Sequence, residues 1–159
     1  MLNTPQPHPR HGTTAGMTLV ELVIAMLIVA MLATLAVPGW QTQVRRLRRS
    51  DAITPLAQLQ QAQERWRSQH PLYASGLGRD GLDLPVLSPA GHYDLTTSVQ
   101  TDSAHRSYRV TAIARGPQAD DLACRWLVLD LDAGQLHHRS GPDAQLGNTD
   151  AQNRQCWTS

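Results

Sequence analysis

Glu21 is the only acid before Asp51, and it lies inside an otherwise apolar run, MTLVELVIAMLIVAMLATLAV, from Met17 to Val37. A carboxylate near the start of a spanning helix costs a few kcal/mol and usually marks a function, unless it rests at headgroup level. The two cysteines, Cys124 and Cys156, stand 32 positions apart in the C-terminal third. An even pair in a small tethered domain suggests a disulfide in an oxidising compartment, with two buried thiols as the alternative. His137-His138 with Asp130 and Asp132 has metal-binding residue types, but neighbours on a strand point to opposite faces. Solvated strand residues are therefore expected there. Asp143, Asn148, Asp150 and Asn153 supply oxygens for a calcium ion, without an EF-hand pattern. Gly76 to Gly81 reads GLGRDG, a match to GxGxxG. It follows a helical pattern and precedes a proline-rich stretch, the reverse of what a dinucleotide fingerprint requires. No Ser-His-Asp set, paired catalytic acids or reactive cysteine is evident. The chain reads as a non-enzyme without metal or cofactor.

The elements around these residues are legible. The chain has 159 residues and a formal charge of +1, enough for one modest core and too near neutral to name a partner by charge. Every basic residue is Arg. Residues 1–16, rich in Pro, His, Thr and Gly, form no core. The run from Met17 to Val37 would be about 31 Å long as a helix, the thickness of a bilayer's hydrocarbon core. Pro38-Gly39 punctuates it, and Trp40 suits an interface. The run is too long for a signal-peptide h-region and no small-x-small site follows it. Val44, Leu47, Ala52, Leu56, Leu59, Gln63 and Trp66 step by three and four, the stripe of an amphipathic helix ending near His70-Pro71. Pro55 inside it predicts a kink, or a helix restarting with Pro55 in its first turn. Residues 71–91 read as a connecting loop. Tyr93 to Val99 and Tyr108 to Ala114 alternate as strands. Cys124 to Leu131 is a third strand, and Asp132-Ala133-Gly134 turns it into Gln135 to Arg139. Residues 141–154 lack periodicity and read as loop.

Gly16-Met17-Thr18-Leu19-Val20-Glu21-Leu22 resembles the prepilin cleavage motif of the type IV pilin family. The resemblance implies that a prepilin peptidase cuts after Gly16 and methylates Met17, which leaves Glu21 at the fifth mature position. Family members usually begin with Phe, so Met17 is a departure. The longer leader favours a minor pilin. It also implies an α+β pilin fold: a long N-terminal helix packed on a small antiparallel β-meander, with a C-terminal loop closed by Cys124 and Cys156. The terminal Cys156-Trp157 resembles the PilE-type minor pilins in particular. The expected organisation is a leader at 1–16, a membrane or filament-core half-helix at 17–40, an amphipathic half at 41–70, the loop at 71–91 and the head at 92–159.

In a filament, the resemblance implies, Glu21 of one subunit meets the N-terminal amine of its neighbour. Each charge is costly alone and much less so paired. Arg45, Arg46, Arg48 and Arg49 would lie in the cytoplasm by the positive-inside rule. The motif and the cysteines place them outside, as Arg-rich stretches do in other pilins. They read as a solvated collar that also pairs with Asp51 or with neighbouring subunits, in preference to DNA or lipid contacts. The expected function is a minor pilin that helps prime a type IV pilus used in twitching, attachment or DNA uptake. Its partners are the prepilin peptidase, the major pilin, other minor pilins and the inner-membrane assembly platform. The expected location is the inner membrane, with a single pass, a cytoplasmic leader and a periplasmic head, and then the pilus. A type II secretion pseudopilin is the alternative. A DNA-receptor minor pilin is a further one, with nucleic acid unfavoured because Arg79, Arg106, Arg109, Arg115, Arg125, Arg139 and Arg154 look scattered among acids.

Overall fold

The computed structural model describes residues 17–158, without the side chains of residues 35–38. Gly16 lies outside the described residues. The elements are α1 (Leu19–Arg48), α2 (Ser50–Arg67), β1 (Tyr93–Ser98), β2 (Tyr108–Ala114), β3 (Trp126–Asp132), β4 (Gln135–Gly141) and α3 (Asp150–Trp157). The chain divides into two compact units between Gly39 and Trp40.

In the first unit, Thr18 Oγ1 accepts the Glu21 amide at 3.2 Å, so Thr18 caps α1 and Glu21 occupies its third position. A carboxylate is favoured there by the unpaired amides of the first turn. Leu19, Met26, Leu27 and Met31 are exposed. Among the described residues no single helix is long and apolar enough to cross a membrane. The stretches Leu19–Thr34 and Gly39–Arg67 meet that measure only together.

The second unit is a four-stranded antiparallel meander in the order β1-β2-β3-β4, with α2 across one face. Alternation aims Tyr93, Leu95, Tyr108, Val110, Ala112, Leu127 and Leu129 at the helix, and all are buried. They meet Ala52, Leu56 and Leu59 of α2. Each large aliphatic side chain buried this way contributes about 1.5–3 kcal/mol. Gln63 is polar yet fully buried. Its Nε2 donates to Ala74 O at 2.8 Å and Thr97 Oγ1 at 2.9 Å, and its Oε1 accepts Ala74 N at 2.9 Å. That pairing ties the connecting loop to α2.

Three local expectations need correction. Neither the kink at Pro55 nor a restart with Pro55 in the first turn is found. The break lies at Arg49, where Ala52 N and Ile53 N both reach Arg49 O at 3.0 Å, and Pro55 is the sixth residue of α2. Breaking a turn earlier lets the Arg49 side chain reach the head while Pro55 stays buried among the core-facing residues. Strand β3 starts at Trp126, because Cys124 belongs to a short 3-10 turn, Leu122–Cys124. The segment expected as loop over 141–154 ends in helix α3. Thr149 caps it through Gln152 N, and the Gln152 side chain accepts Thr149 N at 2.9 Å. This reciprocal cap is spelled by Thr149-x-x-Gln152 and was open to reading from sequence. The hairpin turn is as expected: Ala133 and Gly134 both have positive φ (49° and 84°), the two-residue geometry whose twist matches its strands.

Candidate functional site

The sheet has a second face, turned away from α2, and its pairing register decides what meets there. Arg109 pairs with Asp130 across β2 and β3, Asp130 pairs with His137 across β3 and β4, and Arg139 follows two residues on. Arg106 joins from the end of the β1–β2 connection. Together with Ser103, Ser107 and Gln100 these residues line a polar groove of about 480 Å³. Asp130 is 8% exposed and holds two guanidinium groups at once. Arg109 Nε meets Asp130 Oδ1, Arg109 Nη2 meets Oδ2 at 3.1 Å, and Arg139 Nε lies 3.6 Å from Oδ2. The bond to Asp130 raises the Arg109 pKa, so that group stays charged throughout. Arg106 is exposed and forms no ion pair among the described residues. Asp132 stands at the rim. Three guanidinium groups therefore face two carboxylates, one of them buried beneath its partners. Arginines held in plane by a carboxylate behind them present their outer N–H groups to an anion in a fixed fork. Linear spacing suggested scattered arginines; the register brings Arg109 and Arg139 together on Asp130, and the β1–β2 connection adds Arg106.

The Arg collar is not free either, and its partners differ from those expected. Arg49 makes a two-pronged pair with Asp121, Nε to Oδ2 at 2.7 Å and Nη2 to Oδ1 at 3.0 Å. Its Nη1 donates to Gln155 O at 2.7 Å. Both side chains are about nine-tenths buried, with 12% and 10% exposed. Arg45 Nη2 pairs with Asp120 Oδ2 at 3.2 Å. Asp51, the expected partner, instead accepts Ser88 Oγ at 2.6 Å, Ala90 N at 2.9 Å and His92 N at 3.2 Å. Burial raises the Asp51 pKa, but those three bonds outweigh it and the net direction is down. Asp51 is thus a clamp for the loop entering β1.

Cys124 and Cys156 are joined, with Cα atoms 5.4 Å apart, and the bond ties α3 to the turn before β3. Asn153 Oδ1 accepts Ser140 N at 2.8 Å, and Asn148 Nδ2 donates to Ala123 O at 2.6 Å and to Ser140 Oγ at 2.8 Å. These two asparagines, considered above as calcium ligands, are engaged in stitching the segment down. Among the described residues no three His, Cys, Asp or Glu side chains gather as a metal site. His137 and His138 lie on opposite faces: His137 lines the groove, while the His138 ring stands edge-on to Trp157 at 4.7 Å and burial lowers its pKa. The GLGRDG loop folds on itself, with Leu82 N on Gly76 O at 3.1 Å, and a Cβ at Gly81 would strike that carbonyl. Gly81 is the glycine that this close crossing requires.

Met17 lies two residues before α1, and Glu21 is in its first turn. Residues 38–128 match the family model described as "Type IV minor pilin ComP, DNA uptake sequence receptor". No curated protein matches the chain. The likeness to PilE-type pilins finds no support in this match, which is to the ComP group.

Proposed function

Since the chain belongs to the type IV minor pilin family, we propose that it is a minor pilus subunit whose head takes hold of DNA during uptake. The observation that carries the DNA reading is the convergence of Arg106, Arg109 and Arg139 on one groove. Arginine forks of this kind suit phosphate oxygens, and the family description points the same way. This reverses the weighting drawn from linear sequence, in which nucleic acid was unfavoured.

The remaining parts follow the family's logic. The leader, 1–16, stays cytoplasmic until the prepilin peptidase cuts after Gly16 and methylates Met17. Segment 17–40 anchors the subunit in the inner membrane in a single pass, and later joins the filament core. Segment 41–70 supports the head at 92–159 through the loop at 71–91. The major pilin, other minor pilins and the assembly platform are its partners, and priming of assembly is its structural contribution. The role is non-catalytic. A secretion pseudopilin shares the N-terminal features; the disulfide-closed C-terminal segment favours the pilin.

The test is DNA binding by Arg106→Gln/Arg139→Gln, measured against salt, together with transformation of the native cell. Each lost phosphate contact should reduce the salt slope by about 1, so the double variant should lose about 2 and transform poorly while pili remain. Unchanged binding would place the contact elsewhere. Mass spectrometry of sheared filaments tests the pilus assignment separately: a peptide starting at N-methylated Met17 is expected beside an abundant major pilin. Processed protein found only in the inner membrane would favour the pseudopilin.

A further inference from the structure

His137 lines the polar groove but has no part in holding Asp130. The register sets it directly opposite Asp130, and Arg139 follows it two residues on, on the same face of β4. Directly opposed side chains on a strand pair stand about 5 Å apart at Cβ, so Asp130 is the natural partner for an imidazolium there. That partner is taken. Arg109 meets both of its carboxylate oxygens, and Arg139 Nε lies 3.6 Å from Oδ2. His137 itself is exposed, with no hydrogen bond, ion pair or ring contact among the described residues. Two more charged groups face it: Arg106 from the β1–β2 connection, and Asp132, exposed and diagonal to it on β3. Tyr108 is also in the lining, but it is buried and its hydroxyl turns to Glu64 at 3.4 Å.

We propose that His137 makes the groove's hold on DNA depend on pH: protonated it adds a phosphate contact, and neutral it adds none. The inference rests on the DNA-binding role proposed for this groove and names its regulation. Of the side-chain types in the lining, only histidine ordinarily changes charge between pH 5.5 and 8. Three arginines and two carboxylates leave the groove one net positive charge, and a protonated His137 makes it two. The fold does not cancel that added charge, because the carboxylate opposite already holds two guanidinium groups. The imidazolium is left for an anion, and both of its ring N–H groups can donate to phosphate oxygens. A phosphate beside the ring favours its charged form, so DNA binding takes up a proton. The added affinity is therefore present on the acid side and is lost as pH rises and the ring deprotonates. His138 cannot take this part, since it lies on the other face with its ring edge-on to Trp157.

The experiment is binding of a short DNA duplex to the full chain in detergent, read by fluorescence anisotropy at pH 5.5 and pH 8 over a range of salt. One exposed charge contact is worth up to about fivefold, so wild type should bind about fivefold more tightly at pH 5.5. Its salt slope should also be steeper there by about 1, the mark of one more phosphate contact. His137→Gln should show the alkaline affinity and slope at both pH values. His137→Arg should show the acid affinity and slope at both. His105→Gln, next to Arg106, and His138→Gln should respond as wild type does. Calorimetry in two buffers of different ionisation enthalpy should register proton uptake on binding by wild type and none by His137→Gln. Equal wild-type affinity at the two pH values, or a response that survives in His137→Gln, overturns the inference and leaves the DNA reading standing. A response lost in His105→Gln and kept in His137→Gln assigns it to the other histidine and overturns the inference too. Absence of DNA binding at either pH overturns the DNA reading itself, and the inference with it.

Discussion

Asp121→Ala should be the most damaging single change to the head that alters no core side chain. Its carboxylate receives both prongs of Arg49 and the Gln118 amide at 3.3 Å. Removing it strands a guanidinium that is 12% exposed. Breaking such a pair from one side costs about 3–5 kcal/mol. Arg49 keeps its bond to Gln155 O and some contact with water, which argues for the lower end, about 3 kcal/mol. At about 4 °C per kcal/mol for a unit of this size, the melting temperature should fall by about 12 °C. Urea unfolding followed by tryptophan fluorescence, disulfide intact, measures the change. The midpoint should drop while the slope is unchanged. Replacing both partners, Arg49→Met/Asp121→Leu, should recover most of the loss because no charge is left stranded. An Asp121→Ala protein within about 0.5 kcal/mol of wild type, the spread of ordinary surface changes, would refute this reasoning. A double variant no better than the single one would do the same.

Three further outcomes are expected. Cys124→Ser/Cys156→Ser should lose about 3–4 kcal/mol, the chain-entropy value for a closed loop of this length, and hydrogen exchange should show α3 opening first. Alkaline unfolding should set in above about pH 10: burial pushes Tyr93 up to about 12 and also raises Tyr108, whereas unfolded tyrosine titrates near 10. The contribution of Tyr93, about 3 kcal/mol, is therefore complete below pH 10 and is lost as pH climbs toward 12. Tyrosinate absorbance read beside circular dichroism checks this, and free ionisation near pH 10 in folded protein would contradict it. Glu21→Ala should be cut after Gly16 at the normal rate yet enter filaments poorly, and wild-type incorporation would remove the pairing role assigned to Glu21.

Local chemistry made much of this protein readable before any fold was known. The roles of Gly16, Met17 and Glu21 rest on a pattern of closely spaced residues and remain proposals. Period-2 alternation placed β1 and β2, and Ala133-Gly134 marked the hairpin, because strand faces and left-handed turns are properties of short segments. With only two cysteines, a bond between them was the one available pairing. What required the tertiary structure was everything fixed by contacts distant in sequence. Arg109 and Arg139 meet at Asp130 only because the sheet register stacks β2 beside β3 and β3 beside β4, and Arg106 joins their groove from the β1–β2 connection. Arg49 finds Asp121 72 positions away rather than nearby Asp51, and that choice accompanies a helix break a full turn before Pro55. A charge's partner is decided by which surfaces the core brings together, and side-chain spacing along the chain carries no record of that.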